Sequence, residues 1–123
     1  MKIKLDKLDK LFARCIKLRD KVCQRCGSYS KYLQTAHFHS RRKKSVRWDE
    51  DNSCLCCFGC HQYLDSHPFE KIEFFKARLG EQAFDMLNNR ARMSGRYLDK
   101  AAITLYLEQE IKKLEFIKVD VDY

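Results

Sequence analysis

The sequence predicts a mostly helical α+β protein that forms one compact domain. Its 123 residues include four glycines and one proline, so few positions break a helix or force a tight turn. Four segments carry apolar residues at the three- and four-residue spacing of an amphipathic helix. Two shorter segments between positions 32 and 48 indicate a small hairpin instead. The hydrophobic content of 45% is ordinary for a globular chain and disfavours a disordered polymer.

The first predicted element is an amphipathic helix that ends at about Asp20. Its apolar face consists of Leu5, Leu8, Phe12, Cys15 and Ile16. We interpret Cys15 as a small core residue because it lies on this face. The motif that follows, Cys23-Gln-Arg-Cys26-Gly27, predicts a tight turn that presents two thiols, since glycine readily takes a positive φ.

A hairpin is predicted next, with one strand within 32–39 and a second strand at 46–48. The basic run Arg41-Arg42-Lys43-Lys44 lies in the connection between them. Positions 49–52 are polar and predict a loop, which leads into a cysteine-rich segment at 54–60.

Helices are predicted for most of the remaining chain. A short helix covers about 59–65, and another begins near Pro68 and ends before Gly80. Further helices are expected at about 81–93 and 97–116, with a break at Gly95. Their apolar faces are most simply core, although the acidic second half of the chain could also form a homodimer interface.

Charge is unevenly distributed along the chain. Residues 1–48 hold 15 Lys and Arg against 3 acidic residues, whereas residues 49–123 hold 10 against 14. The net charge is +8, and the basic half is where a polyanion is expected to bind. No apolar run approaches the roughly 18 residues of a membrane span, and the N-terminal segment lacks the apolar stretch of a signal peptide. We therefore expect a cytoplasmic protein without a membrane partner.

Seven cysteines in a chain without an export signal favour metal thiolates over disulfides. Cys23-x-x-Cys26 is followed by a second Cys-x-x-Cys, and two such knuckles supply four thiolates to a tetrahedral zinc ion. A site with four thiolates has no open position for water or substrate, so the predicted zinc is structural.

The second knuckle has two possible registers, Cys54 with Cys57 or Cys57 with Cys60. We prefer Cys57 with Cys60, because His61 then follows the knuckle directly at the start of a helix. Cys54 and Cys56 are in that case core residues or spare thiols.

The 30 residues between the two knuckles exceed what a zinc ribbon or finger requires. They contain His37 and Asn52, and His61 follows the second knuckle. In this order the sequence resembles the HNH nucleases of the ββα-metal superfamily. The resemblance rests on Cys23-x-x-Cys26, Leu33-Gln-Thr-Ala-His37, Asp51-Asn52 and Cys57-x-x-Cys60-His61. Within that superfamily the chain is most similar to the phage NinG (Rap) recombination endonucleases, through Gln34-Thr-Ala-His37-Phe38, Ser40-Arg41 and Arg47-Trp48-Asp49.

The resemblance implies a single nuclease domain over 1–123. An N-terminal helix at 1–22 and a helical part at 67–123 would flank a zinc-stapled ββα-metal core at 23–66. By position, His37 corresponds to the general base, Asn52 to the asparagine that fixes a loop, and His61 to a ligand of a catalytic ion. The implied activity is metal-dependent hydrolysis of DNA with Mg²⁺ or Mn²⁺, on branched or partly single-stranded substrates in phage-type recombination.

The chain departs from the family pattern at Ala36. Most HNH nucleases have a metal-binding Asp or His at this position, so another group must accompany His61. Asp65 is the first candidate, because it follows His61 by four residues on one helix face. His39 is the alternative, since strand alternation would place it on the same side as His37.

Basic residues beside His37 are expected to hold the DNA phosphates. These residues are Arg41, Arg42, Lys43, Lys44 and Arg47, with Arg41 and Arg42 the strongest candidates. Trp48 is more typical of a core residue than of a base-stacking platform. The alternative function is a non-catalytic, zinc-stapled module that binds nucleic acid, in which Ala36 marks a lost metal site.

Overall fold

The computed structural model describes residues 4–121, and these residues form five α-helices and one two-stranded sheet. The elements are α1 (Lys7–Asp20), β1 (Gln34–His37), β2 (Ser53–Cys56), α2 (Phe58–Ser66), α3 (Pro68–Leu79), α4 (Glu81–Ala91) and α5 (Lys100–Val121). Short 3-10 helices lie at Lys44–Val46, Glu50–Asn52 and Gly95–Tyr97. A mostly helical chain with a little strand is therefore confirmed. No helix in the described part of the chain combines the length and apolar character that a bilayer span requires.

The helix ends follow local sequence signals. Asp6 and Asp9 form a capping box at the start of α1, in which each carboxylate accepts the other residue's backbone N–H. Gly80, with a φ of 86°, separates α3 from α4 as its position predicts. The helix α5 begins three residues later than expected, because Gly95–Tyr97 forms a 3-10 turn first. Gly95 packs closely there, since an added Cβ would lie 2.6 Å from the Cβ of Lys44.

The antiparallel strands β1 and β2 lie between two apolar cores. Gln34 pairs with Cys56, and His37 pairs with Ser53. The first cluster, here the α1 core, contains Leu8, Phe12, Cys15, Ile16, Trp48, Leu55, Leu107 and Ile111. The second cluster, here the cysteine core, contains Cys23, Ala36, Cys54, Cys56, Cys60, Leu64, Phe75 and Phe84. Both faces of β2 are therefore buried, and Cys15 and Trp48 are core residues as predicted.

The prediction that 46–48 forms the second strand is wrong. Val46 ends a 3-10 helix, and Val46, Arg47 and Trp48 are all buried, so the segment does not present alternating faces. The second strand is β2, whose four residues are all buried. A strand buried on both faces lacks the period of two by which a sequence reveals a strand.

A polar network joins the end of α1 to β2 and α3. The Asp20 carboxylate accepts the backbone N–H of Leu55 at 2.9 Å and a guanidinium N–H of Arg78 at 3.0 Å. Gln24 donates its backbone N–H to the Leu55 carbonyl at 2.9 Å. These bonds satisfy one edge of β2 and fix the chain where the first cysteine pair begins.

Asp9 lies in a buried charge pair that supports the 46–48 segment. Its carboxylate accepts hydrogen bonds from Arg47 at 2.6 and 3.0 Å and from the indole N–H of Trp48 at 3.0 Å. Burial by itself raises the pKa of Asp9, but the hydrogen bonds and charge of Arg47 outweigh it and lower the pKa from 3.8 to about 2.

Replacing Arg47 with methionine is expected to destabilise the fold by about 3 kcal/mol at neutral pH, because Asp9 is then left buried without a partner. The pKa of Asp9 is lower in the folded state, so the contribution of its pair is complete above about pH 4. It is lost as the pH falls towards 2, and the difference between wild type and Arg47→Met should shrink over that range. Denaturant titrations at several pH values measure this, and a loss below 1 kcal/mol at pH 7 would contradict the buried pair.

Candidate metal centre and adjoining cavity

Four cysteines from two separate segments meet at one point. Cys23 and Cys26 lie on the turn after α1, Cys57 caps the N-terminus of α2, and Cys60 lies in its first turn. The four Sγ atoms lie within 4.8 Å of one another, and those of Cys26 and Cys57 are 3.8 Å apart. Thiolates on a tetrahedral zinc with bonds of about 2.3 Å would be about 3.8 Å apart, so the cluster could hold zinc. The structure assembles the register with Cys57 and Cys60.

The surroundings of the cluster act differently on Cys23 and Cys60. Burial by itself raises the pKa of Cys23, but backbone N–H groups, including those of Cys26 and Cys57, lower it to about 6. Burial raises the pKa of Cys60 to about 12, and Arg25 donates to its Sγ at 3.4 Å. A metal cation would supply the positive charge that lets all four thiols ionise.

The remaining three cysteines lie outside the cluster. Cys54 and Cys56 are fully buried in β2, with their Sγ atoms 3.6 Å apart. Cys15 is fully buried in the α1 core, and burial raises the pKa of its thiol to about 11. All three are therefore core residues.

A cavity of about 230 Å³ opens beside the cysteine cluster, between β1, α2 and the start of α3. Its lining residues are Thr35, His37, Phe38, Ser40, Arg41, His61, Asp65 and Lys71. The predicted base His37, the predicted ligands His61 and Asp65, and the predicted phosphate contact Arg41 thus line one cavity.

His37 is held as a neutral imidazole. Burial lowers its pKa from 6.5 to about 4, and the positive charge of Arg41 acts in the same direction. One ring nitrogen donates to the backbone carbonyl of Arg47, whereas Nε2 is buried with no partner in the described part of the chain. The Nε of Arg41 is also buried without a partner there. Two orphaned nitrogens on residues that line one cavity leave hydrogen-bonding positions for a polar ligand or ordered water.

Asn52 fixes the chain that follows His37. Its fully buried side chain donates to the carbonyls of His39 and Val46, at 2.9 and 3.1 Å, and accepts the backbone N–H of His39 at 2.8 Å. Val46 is the residue before Arg47, and the backbone carbonyl of Arg47 accepts the hydrogen bond that orients the His37 ring. Asn52 therefore positions His37 through the backbone on both sides of the connection.

The orientation of His61 is set by Gln34. The His61 Nδ1 lies 2.7 Å from the Gln34 Oε1, so Nδ1 carries the proton and donates. The lone pair of His61 is then on Nε2, which lies 3.4 Å from the Asp65 Oδ2. A nitrogen and a carboxylate oxygen at this separation could both reach one cation, as the four-residue helical spacing predicts.

His39 faces away from the cavity. The strand β1 ends at His37, so the expected alternation does not reach His39. Its Nε2 lies 2.8 Å from the Oδ1 of Asn88 on α4, and its ring packs edge-on against Phe38. It is not among the residues that line the cavity, so this arrangement does not offer it as a metal ligand.

The basic residues near the cavity divide into two groups. Arg42, Lys43 and Lys44 are exposed, and Arg41 is half-buried at the cavity. Arg47, by contrast, is 8% exposed and is bound to Asp9, so its prediction as a DNA contact is corrected. The prediction relied on the position of Arg47 beside the basic run, and its buried partner Asp9 lies 38 residues away in the sequence.

Two residues of the site were not predicted as such. Gln34 orients His61 across 27 residues, and Lys71 lies 2.7 Å from Asp65 over the turn between α2 and α3. Lys71 is six residues from Asp65, a spacing that a continuous helix would place on another face.

Comparison with protein-family models, with curated proteins and with solved structures gives no match.

Proposed function

We propose that this protein is a metal-dependent DNA endonuclease of the HNH class, with a structural zinc ion on Cys23, Cys26, Cys57 and Cys60. The observation that carries the proposal is the cavity, which is lined by an unpartnered neutral imidazole together with a second imidazole and a carboxylate that could hold a cation. The order β1, β2, α2 with these groups also agrees with a ββα-metal core. The resemblance to NinG endonucleases extends the proposal to branched or partly single-stranded DNA.

In this proposal, the residues of the cavity divide the chemistry of phosphodiester hydrolysis. The Nε2 of His37 accepts the proton of a water molecule whose oxygen attacks phosphorus, and the bond to the leaving 3′ oxygen breaks. Arg41 binds a phosphate oxygen, and Arg42, Lys43 and Lys44 contact neighbouring phosphates. His61 and Asp65 would hold Mg²⁺ or Mn²⁺, which stabilises the negative charge that develops on the phosphate and the leaving oxygen. Asn52 exchanges no proton and maintains the position of His37.

A non-catalytic zinc module that binds nucleic acid is the second candidate. It is favoured by the buried Ala36, which supplies no ligand, and by Lys71, which already neutralises Asp65. The two candidates differ in one measurable property, since a binding module shifts the mobility of DNA without breaking it.

Supercoiled plasmid incubated with the protein and Mn²⁺ or Mg²⁺ is expected to become nicked. His61→Ala should lower the rate by about a hundredfold or more while leaving the zinc content unchanged, because the two metal sites share no ligand. Asp65→Ala should lose activity as well and recover part of it at higher Mn²⁺ concentration. His67→Ala is the matched control, since His67 is exposed and outside the lining of the cavity. Nicking by His61→Ala at the wild-type rate would contradict the proposal and would point to a contaminating nuclease.

A further inference from the structure

Lys71 brings a positive charge into the cavity from outside the strand-helix core. It lies in the first turns of α3, and its side chain is 16% exposed. Its Nζ lies 2.7 Å from the Asp65 Oδ1, and it lines the cavity with Arg41, His37 and His61. A lysine side chain that is held this far from solvent is pre-positioned, unlike one on a solvated face.

The charges around the cavity favour an anion. Arg41 and Lys71 are the cationic residues of its lining, and Asp65 is the acidic one. The lining therefore carries a surplus of positive charge before any metal binds, as a phosphate site requires.

The two oxygens of Asp65 face different partners. Oδ1 accepts from Lys71, whereas Oδ2 lies 3.4 Å from the Nε2 of His61. The contact with Lys71 therefore does not occupy the Asp65 Oδ2, which is the oxygen near the His61 imidazole. An ammonium group has three N–H donors, and Asp65 uses one of those of Lys71.

We propose that Lys71 is a phosphate-binding residue of this site, which holds Asp65 with one N–H and offers its remaining N–H groups to the scissile phosphate. This inference rests on the proposed nuclease function and adds a residue that the HNH motif does not contain. Lys71 exchanges no proton or electron pair in this role, and its contribution is attraction to the phosphate oxygens as their negative charge grows.

The position of Lys71 has opposite consequences for metal and for DNA. Without DNA, the positive charge of Lys71 repels Mg²⁺ or Mn²⁺ at His61 and Asp65, so Lys71 weakens the binding of that metal ion. With DNA, the phosphate lies between the two positive charges and is attracted by both. A lysine that served only to support Asp65 would instead strengthen metal binding and leave metal-free DNA binding unaffected.

The test compares Lys71→Met with Lys76→Met, which removes an exposed lysine from the same helix. Calorimetric titration of the zinc-loaded protein with Mn²⁺ should give a dissociation constant about fivefold lower for Lys71→Met than for wild type. Binding of a short fluorescein-labelled DNA duplex, with no added Mg²⁺ or Mn²⁺, should weaken about fivefold in Lys71→Met. Single-turnover nicking should slow about a hundredfold. Lys76→Met should match wild type in all three measurements, and Lys71→Arg should restore most of the DNA affinity.

Weaker Mn²⁺ binding by Lys71→Met would overturn the assignment of Lys71. Unchanged DNA affinity of Lys71→Met, measured without added Mg²⁺ or Mn²⁺, would overturn it as well. Thermal unfolding of each variant identifies one that fails to fold, and in that case Lys71→Arg and Lys71→Gln decide the result by the same two titrations. The two titrations do not depend on cleavage. If wild type binds DNA and Mn²⁺ as described but never nicks plasmid, the nuclease proposal fails while Lys71 remains a phosphate-binding residue.

Discussion

Replacing Cys57 with serine is expected to release the zinc ion and to cost about 5 kcal/mol or more of folding stability. Binding of structural zinc contributes about 10 kcal/mol or more in small domains, whose total stability is of similar size. In this chain the four thiols join the turn after α1 to the start of α2, and Cys23 and Cys60 belong to the cysteine core. Metal analysis and thermal unfolding measure the result, with about one zinc per chain expected in the wild type.

The matched control for that experiment is Cys54→Ala. Cys54 is fully buried, as Cys23 is, but it is not among the four grouped thiols. This variant should keep its zinc and lose only about 1 kcal/mol, the cost of a small change of volume in a core. Loss of zinc by Cys54→Ala together with full zinc in Cys57→Ser would show that the second knuckle uses the other register.

Replacing His37 with alanine is expected to slow DNA cleavage by about a hundredfold or more while leaving DNA affinity nearly unchanged. This loss is typical of a missing general base, and His37 has the buried, unpartnered Nε2 that such a base requires. His39→Ala should retain most of the activity, because its ring is bound to Asn88 and not directed into the cavity. Equal loss in the two variants would contradict the assignment of His37 as the base.

His37 also makes a separate prediction for the pH dependence of stability. Its pKa is about 4 in the folded protein and 6.5 as an ordinary histidine, because burial disfavours the charged ring. Between these values the unfolded chain binds one more proton, so stability is full above about pH 6.5 and falls as the pH drops towards 4. Denaturant titrations should show a weaker acid dependence in His37→Ala, and an identical dependence in the two proteins would contradict the lowered pKa.

The sequence predicted those parts of the fold that depend on local signals. Helical spacing, Pro68 and Gly80 specify the end of α1 and both ends of α3 and α4 to within two residues, whereas α1 begins only at Lys7. The strand β2 could not be recognised, because burial on both faces removes the alternation on which the prediction relies. Val46, Arg47 and Trp48 alternate between apolar and charged residues, which is the pattern of a half-exposed strand. Arg47 is nevertheless buried, because it pairs with Asp9 on α1.

The site shows the same division between local and distant information. Asp65 faces His61 because they are four residues apart on one helix, and the cysteine pairs follow from knuckle spacing. Gln34 and Lys71 contact the site through pairings that arise only when β1, α2 and α3 pack together. Contacts of this kind leave no periodic signal in one sequence.

The two cores differ in how much of the chain must be synthesised before each can close. All buried members of the cysteine core lie between Cys23 and Phe84, whereas the α1 core needs Leu107 and Ile111 from α5. The segment with the knuckles and the cavity therefore leaves the ribosome before α5 does. The helix α1 is made first but finds its partner last. Synthesis therefore supplies every buried member of the cysteine core before those that α5 contributes to the α1 core.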